Sequence, residues 1–378
     1  MDKGKFWRFS LIPYSKQSLN QDDVDAVLNI FSEKFITQGP QVDVFEKGIC
    51  KVVNAKYATV CNSATSALHI ACMALNIGPD DIVWTSPISF VASANAARYC
   101  RAHIDFVDID PDTNNISINA LSEKLRNAAA HNKLPKCLIV VHLCGLPCDM
   151  EQIAALAKEY GIFVIEDASH ALGAKYKGKP IGQGNFSDMC VFSFHAVKII
   201  TTAEGGCVTT NNRDLYNSLI SLRSHGIIRD NVENEFGLPS DIFYQQTRLG
   251  YNYRMSEFHA ALGVSQLKRL DAFFQDRQKT FDYYRHQINN EQIILPKIYD
   301  DRQSSHHLFV IKIPKKGGII RRNALYQHMK EEGIQTNLHY IPIFLHADFK
   351  QYAINPDDFP NAMTYFETAL SIPLYPYM

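Results

Sequence analysis

CVFSFHAVKIITTAEGGCVTT (residues 190–210) holds two apolar, β-branched runs, CVFSF (190–194) and CVTT (207–210), separated by a loop of small, hydroxylated and glycine residues that carries Lys198. Runs of this length and type read as strands buried on both faces. Upstream, similar runs recur at ATVC (58–61), IVWT (82–85), HIDFVDI (103–109), CLIVV (137–141) and FVIE (163–166). Between them lie helical patterns such as SATSALHIACMALN (63–76) and DMEQIAALAKEYG (149–161). This alternation predicts an α/β fold with a large, mainly parallel sheet covered by helices.

Downstream, EFHAALGVSQLKRLDAFFQDRQKTFDYYRHQI (257–288) keeps apolar residues three and four apart and reads as one long helix opening at Ser256. HLFVIKI (307–313), RNALYQHMKEEG (322–333) and IQTNLHYIPIF (334–344) then suggest a small α+β unit. The boundary is expected near residue 265, giving a large domain over 1–264 and a connecting helix with a small domain over 265–378. With no repeat or low-complexity linker, the two are expected to pack as one body.

The 378 residues carry 38 Lys and Arg against 39 Asp and Glu, a formal net charge of -1, so no global field favours nucleic acid or an acidic membrane. MDKGKFWRFSLIPYS (1–15) lacks the apolar run of a signal peptide or membrane span, and a soluble cytoplasmic protein is the expectation. The 9 cysteines sit in apolar contexts and read as free thiols. Cys144 and Cys148 form one close pair, but no second pair completes a zinc set, and no metal is expected.

Chemistry concentrates at the strand ends, where open α/β sheets bind ligands. In VIEDASHALGAKYKGKPIG (164–182) a strand delivers Asp167 to its carboxyl end. A carboxylate there can hold the protonated pyridine nitrogen of pyridoxal phosphate (PLP), with His170 flanking the ring; a helix N-cap is the plainer role for Asp167. Lys198 stands just past an apolar run, where partial desolvation makes an amine a nucleophile and base, whereas Lys175, Lys177 and Lys179 read as surface lysines. CNSATSALHIA (61–71) puts Ser63, Ala64, Thr65 and Ser66 at a helix start, able to receive a phosphate on free amides or simply to cap the helix, and Ser193 can add a hydroxyl. In TSPISFVASANAA (85–97), Phe90 can lie over a flat ring or pack in the core.

These stretches resemble the DegT/DnrJ/StrS family of PLP-dependent sugar aminotransferases. FITQGPQVDVFEK (35–47), NSATSALHIACMAL (62–75), WTSPISFVASANAA (84–97), EDASHALGA (166–174), FSFHAVKIITTAEGG (192–206), GYNYRMSEFHAALG (250–263) and NLHYIPIF (337–344) carry the resemblance over nearly the whole chain. It implies the PLP-dependent transferase fold type I, aspartate-aminotransferase-like. It further implies that Lys198 holds PLP as a Schiff base, that Asp167 pairs with the ring nitrogen, that His170 contacts the ring hydroxyl side and that Phe90 stacks on the ring. Ala64, Thr65 and Ser193 would hold the phosphate, and Asn252 would reach a phosphate across a homodimer interface, so that active sites are shared. Within the family the chain resembles the branch that moves an amino group from L-glutamate to C4 of a UDP-4-keto-6-deoxy-N-acetylhexosamine, toward pseudaminic acid. Tyr14, Lys34, Phe35, Ile36, Thr37, Ser63, His339, Tyr340, Ile341 and Pro342, with Ser193 and Asn252, would then line the nucleotide-sugar pocket. Many relatives have Pro at Ala196 and Gln at His170, and many continue past SIPLYPYM (371–378) into a terminal helix.

Other chemistries fit less well. Sugar dehydratases of the same family replace the lysine by histidine; Lys198 argues against that, and His195 lies too early in the motif to be the replacement. A nicotinamide-dependent oxidoreductase needs G-x-G-x-x-G after the first strand, and Gly178, Gly182 and Gly184 lie in a polar turn with the wrong spacing. A catalytically idle binding protein on the same scaffold is separated from an enzyme only by turnover.

Overall fold

The computed structural model of the protein describes residues 11–229, 234–239 and 241–378. All seven expected runs enter one sheet, as β1 (Tyr57–Cys61), β2 (Ile82–Thr85), β3 (His103–Phe106), β4 (Cys137–Val141), β5 (Phe163–Asp167), β6 (Met189–Ser193) and β7 (Gly206–Thr210). Their order is β1-β7-β6-β5-β4-β2-β3. The strands from β3 to β6 are parallel, and β7 runs antiparallel to both β6 and β1. β3 stops at Phe106, three residues short of the expected Ile109. There Asp108 leaves the ladder, and its carboxylate accepts the amides of Asn361 and Ala362.

Helices α1 (Gln21–Asn29) and α2 (Pro40–Val53) precede the sheet, while α3 (Ala64–Ala74), α4 (Ala92–Tyr99), α5 (Ile118–Ala130) and α6 (Met150–Tyr160) connect its parallel strands. Successive strand residues face opposite sides, so each side buries its own set. Ile139, Ile165, Val191 and Val208 pack with α3 and α4 on one side. Leu138, Val140, Val164 and Phe192 pack with α2, α5 and α6 on the other.

After β7 come α7 (Arg213–Arg223), α8 (Glu257–Leu267) and α9 (Leu270–Gln287). The single helix expected over 256–288 is therefore two. Arg269 leaves helical geometry at φ -108 and ψ 7, and its guanidinium binds the Asp23 carboxylate and the Ser18 carbonyl. The apolar period continues across this break, which is why periodicity alone misses it. The chain ends with β8 (Phe309–Lys312), α10 (Gly318–Glu331), α11 (Pro360–Thr368) and β9 (Ala369–Ile372), with β8 and β9 paired antiparallel. Residues 334–344 hold little regular structure, only the start of a 3₁₀ turn at Ile343.

Two contacts tie these pieces to the sheet's carboxyl edge. Arg277 of α9 is 1% exposed and donates to the carbonyls of His306, His307 and Leu374. Gly206 opens β7 opposite both Cys61 of β1 and Ser193 of β6. A Cβ on Gly206 would lie 2.5 Å from the backbone nitrogen of Ala64, so only glycine lets the start of α3 sit against β7.

Gly206→Ala should therefore displace the α3 start and cost about 3 kcal/mol, as overpacking against backbone does. Chemical denaturation of the two proteins measures the loss.

Candidate active site

The sheet's carboxyl edge opens into a cavity of about 680 Å³. Its wall collects Ser63, Ala64 and Thr65 from the start of α3, Phe90 from the turn after β2, and Asp167 with His170 from the end of β5. Ser193 at the end of β6 and Lys198 in the following loop face the same space, as do Tyr14, His339, Tyr340 and Ile341. The structure thus brings together most of the residues expected from the sequence. Lys34, Phe35, Ile36, Thr37 and Asn252 are exposed and stand outside this wall, and Pro342 is buried behind it. Thr37 bridges to Ser256, and Asn252 to Ser224.

Asp167 is 5% exposed. Its Oδ2 accepts from the Ser93 hydroxyl at 2.6 Å, and its Oδ1 accepts from the Ser169 amide and hydroxyl at 3.1 and 2.6 Å. No helix begins after it, so the N-cap alternative fails. Among the described residues no cation forms an ion pair with it, which leaves a buried carboxylate facing a cavity and able to take a positive group. Ser63 does cap α3, accepting from the Ser66 amide at 3.1 Å. The amides of Ala64 and Thr65 at the next two positions have no partner among the described residues, which makes the helix start an anion cradle. Phe90 is 58% exposed, so core packing is not its role.

Burial pulls the Lys198 amine down to about 8, against a weaker opposing pull from Asp167. His170 is held well below the usual histidine range, by burial first and then by Lys198 and His339, and burial lowers His339 to about 4. The His170 ring has a set orientation. Its Nδ1 accepts the Cys144 amide at 3.2 Å, and its Nε2 lies 3.2 Å from the Tyr340 hydroxyl. His307 packs behind it, its ring tilted by 44° with centroids 4.4 Å apart.

Ser93, Ser169 and His307 were not singled out from the sequence, and Cys144 was weighed only for its thiol, not for its backbone amide. Ser93 left one signal, a lone hydroxyl in the alanine-rich run ASANAA. His307 left none, because its approach to His170 depends on how distant segments pack. His195 and Glu204 also line the cavity, 3.9 Å apart.

The donors present fit PLP. Free amides and Ser193 suit its phosphate, the unpaired Asp167 suits its ring nitrogen, and a lysine with a lowered pKa suits its aldehyde. Lys198 is a nucleophile only when neutral, so capture of added PLP by the cofactor-free protein should accelerate as pH rises through about 8. An ordinary exposed lysine would show that rise near its usual 10.5. Stopped-flow absorbance across that range distinguishes the two.

Comparison with known proteins identifies the family and its chemistry. A model of the DegT/DnrJ/EryC1/StrS aminotransferase family matches residues 17–378. A Campylobacter jejuni protein named UDP-4-amino-4,6-dideoxy-N-acetyl-beta-L-altrosamine transaminase is 37% identical over 367 residues, covering 97% of this chain and 93% of its own. The solved structure of Helicobacter pylori PseC, described as an aminotransferase involved in the biosynthesis of pseudoaminic acid, superposes with a TM-score of 0.86 at 31% identity over 97% of this chain and 94% of its own. Spr1654 from Streptococcus pneumoniae, solved in its PLP form, superposes with a TM-score of 0.87 at 26% identity over 97% of this chain and 94% of its own. The chain belongs to the DegT/DnrJ/EryC1/StrS aminotransferase family and is a PLP-dependent sugar aminotransferase.

Proposed function

We propose that this enzyme moves an amino group from L-glutamate to C4 of a UDP-4-keto-6-deoxy-N-acetylhexosamine, giving a UDP-4-amino-4,6-dideoxy sugar of the kind used for pseudaminic acid. The observation that carries the amino-transfer chemistry is the single cavity holding Lys198, the cation-free Asp167 and the free amides of Ala64 and Thr65. The substrate rests on similarity to the Campylobacter jejuni transaminase and to Helicobacter pylori PseC. PLP, when bound, accepts the electron pair released at the carbon that carries the amino group.

The chain's own groups divide the remaining work. The α3 amides and Ser193 would anchor the phosphate, and Asp167 would pair with the ring nitrogen. Phe90 would cover the ring, and His170 would stand on its hydroxyl side. Lys198, once released from the cofactor, takes and returns the proton at the reacting carbon through Nζ; burial keeps it close to neutrality for that task. Tyr14, His339 and Ile341 face the same cavity and suit the sugar.

A homodimer with shared sites belongs to this proposal. Phe31, Phe35 and Ile36 are 72%, 49% and 56% exposed, an apolar surface that a second copy can cover. Asn252, exposed and outside its own cavity, is then free to enter the partner's.

Incubation with the UDP-linked 4-keto sugar and ¹⁵N-labelled L-glutamate should give a sugar labelled at C4, identified by NMR, with ping-pong kinetics. A label at C3, or no label with this sugar while another keto sugar is aminated, would overturn the substrate assignment. Lys198→Ala should lower turnover by about 10³-fold or more while keeping some phosphate-anchored cofactor.

A further inference from the structure

His170 and Tyr340 in the cavity wall, with Cys144 behind them, form a hydrogen-bonded row whose direction is set by the backbone. The Cys144 amide can only donate, so His170 Nδ1, 3.2 Å away, must be the bare, accepting nitrogen. Burial and the neighbouring Lys198 keep the ring neutral, so the other nitrogen, Nε2, carries the single ring hydrogen. That hydrogen points at the Tyr340 hydroxyl oxygen, 3.2 Å away. The phenol oxygen is thus the acceptor in this pair, and its own hydrogen has no partner among the described residues. Burial also raises the phenol's pKa, so it keeps that hydrogen. Tyr340 lies in the cavity wall between His339 and Ile341, on a segment separate from the strand ends that hold the cofactor.

We propose that Tyr340 is a catalytic hydrogen-bond donor to the carbonyl oxygen of the keto sugar, and that His170 is its positioning residue. The wall supplies a neutral O–H whose direction is set before the substrate arrives. A donor to the ketone oxygen draws electron density from the carbon the amine must attack, and it strengthens as charge builds on that oxygen. A phenol that instead donated to His170 would have only lone pairs to offer and would repel the same oxygen. The Cys144 backbone prevents that reversal, and Cys144 itself adopts the left-handed conformation (φ 59) while offering its amide to the ring.

This inference rests on the proposed transfer to a keto sugar, and half-reactions on the holoenzyme test it separately. Wild-type turnover is established first with the 4-keto sugar, or with a 3-keto sugar if the first is refused, so that a wrong substrate is not mistaken for a wrong donor. Tyr340→Phe should slow the keto-sugar half-reaction about 100-fold more than the glutamate half-reaction, the usual loss for one donor on a developing oxyanion. His170→Leu, which also removes a side chain placed beside the cofactor ring, should slow both halves but the keto-sugar half at least about ten-fold more, and His170→Gln, which keeps an acceptor for Cys144 and an N–H for Tyr340, should remove most of that difference. Equal slowing of both halves with a shifted cofactor absorbance would place the Tyr340 hydroxyl on the cofactor and overturn the proposal, as would no effect on either half. Independently of activity, ¹⁵N NMR of the cofactor-free protein should show His170 with bare Nδ1 and protonated Nε2. The opposite tautomer would also overturn it.

Discussion

The antiparallel insertion of β7 between β1 and β6 is the constraint from which the cavity follows. Parallel neighbours must be joined by a crossover that carries the chain away over one face, whereas antiparallel neighbours can be joined by a short loop at one end. Because β7 returns directly beside β6, the segment carrying Lys198 stays at the sheet's carboxyl edge instead of entering a helix. The same strand brings β1 alongside, and with it the start of α3. Gly206 is the meeting point, paired with Cys61 on one side and Ser193 on the other. Lysine, phosphate cradle and β6 hydroxyl are therefore placed by one set of ladder bonds.

Electrostatically the cavity is built by subtraction. Burial keeps His170 and His339 neutral and lowers the Lys198 amine to about 8, and Asp167 is steadied by hydroxyl and amide donors without a cation among the described residues. The free amides at the start of α3 add a positive helix end. A ligand with a phosphate at one end and a protonated ring nitrogen elsewhere supplies both missing charges, so binding satisfies groups that folding leaves uncompensated. This division also explains why the wall groups can act as proton carriers: neutral imidazoles and phenols can give or accept a hydrogen bond without first losing a charge, and an amine near 8 loses its proton close to neutral pH.

The fold was largely legible because each strand of the sheet is a short apolar run bounded by polar turns, and all seven runs found their place. Legibility failed where local pattern and tertiary contact disagree. Arg269 interrupts a helix whose apolar period runs on unbroken, because its side chain is drawn to Asp23 and Ser18. Asp108 ends β3 early to hold the start of α11. In the site, Lys198, Asp167 and Ser193 were visible because strand ends announce them. The supports around them were not: Ser93, Cys144 and His307 act through a hydroxyl, a backbone amide and a ring contact, none of which depends on a recognisable motif. Tyr340 was expected only as a lining residue, and its pairing with His170 joins segments far apart in the chain.

Arg277 gives this architecture a temporal aspect. Its guanidinium joins α9 to the backbone at His306 and His307 and to Leu374, and His307 in turn backs His170. During synthesis the sheet, the lysine loop and α9 are all made before the last of these three carbonyls exists. Arg277 therefore gains its last carbonyl only after the strand that carries Asp167 and the loop that carries Lys198 have been made, so the rear wall of the cavity is tethered later than its floor.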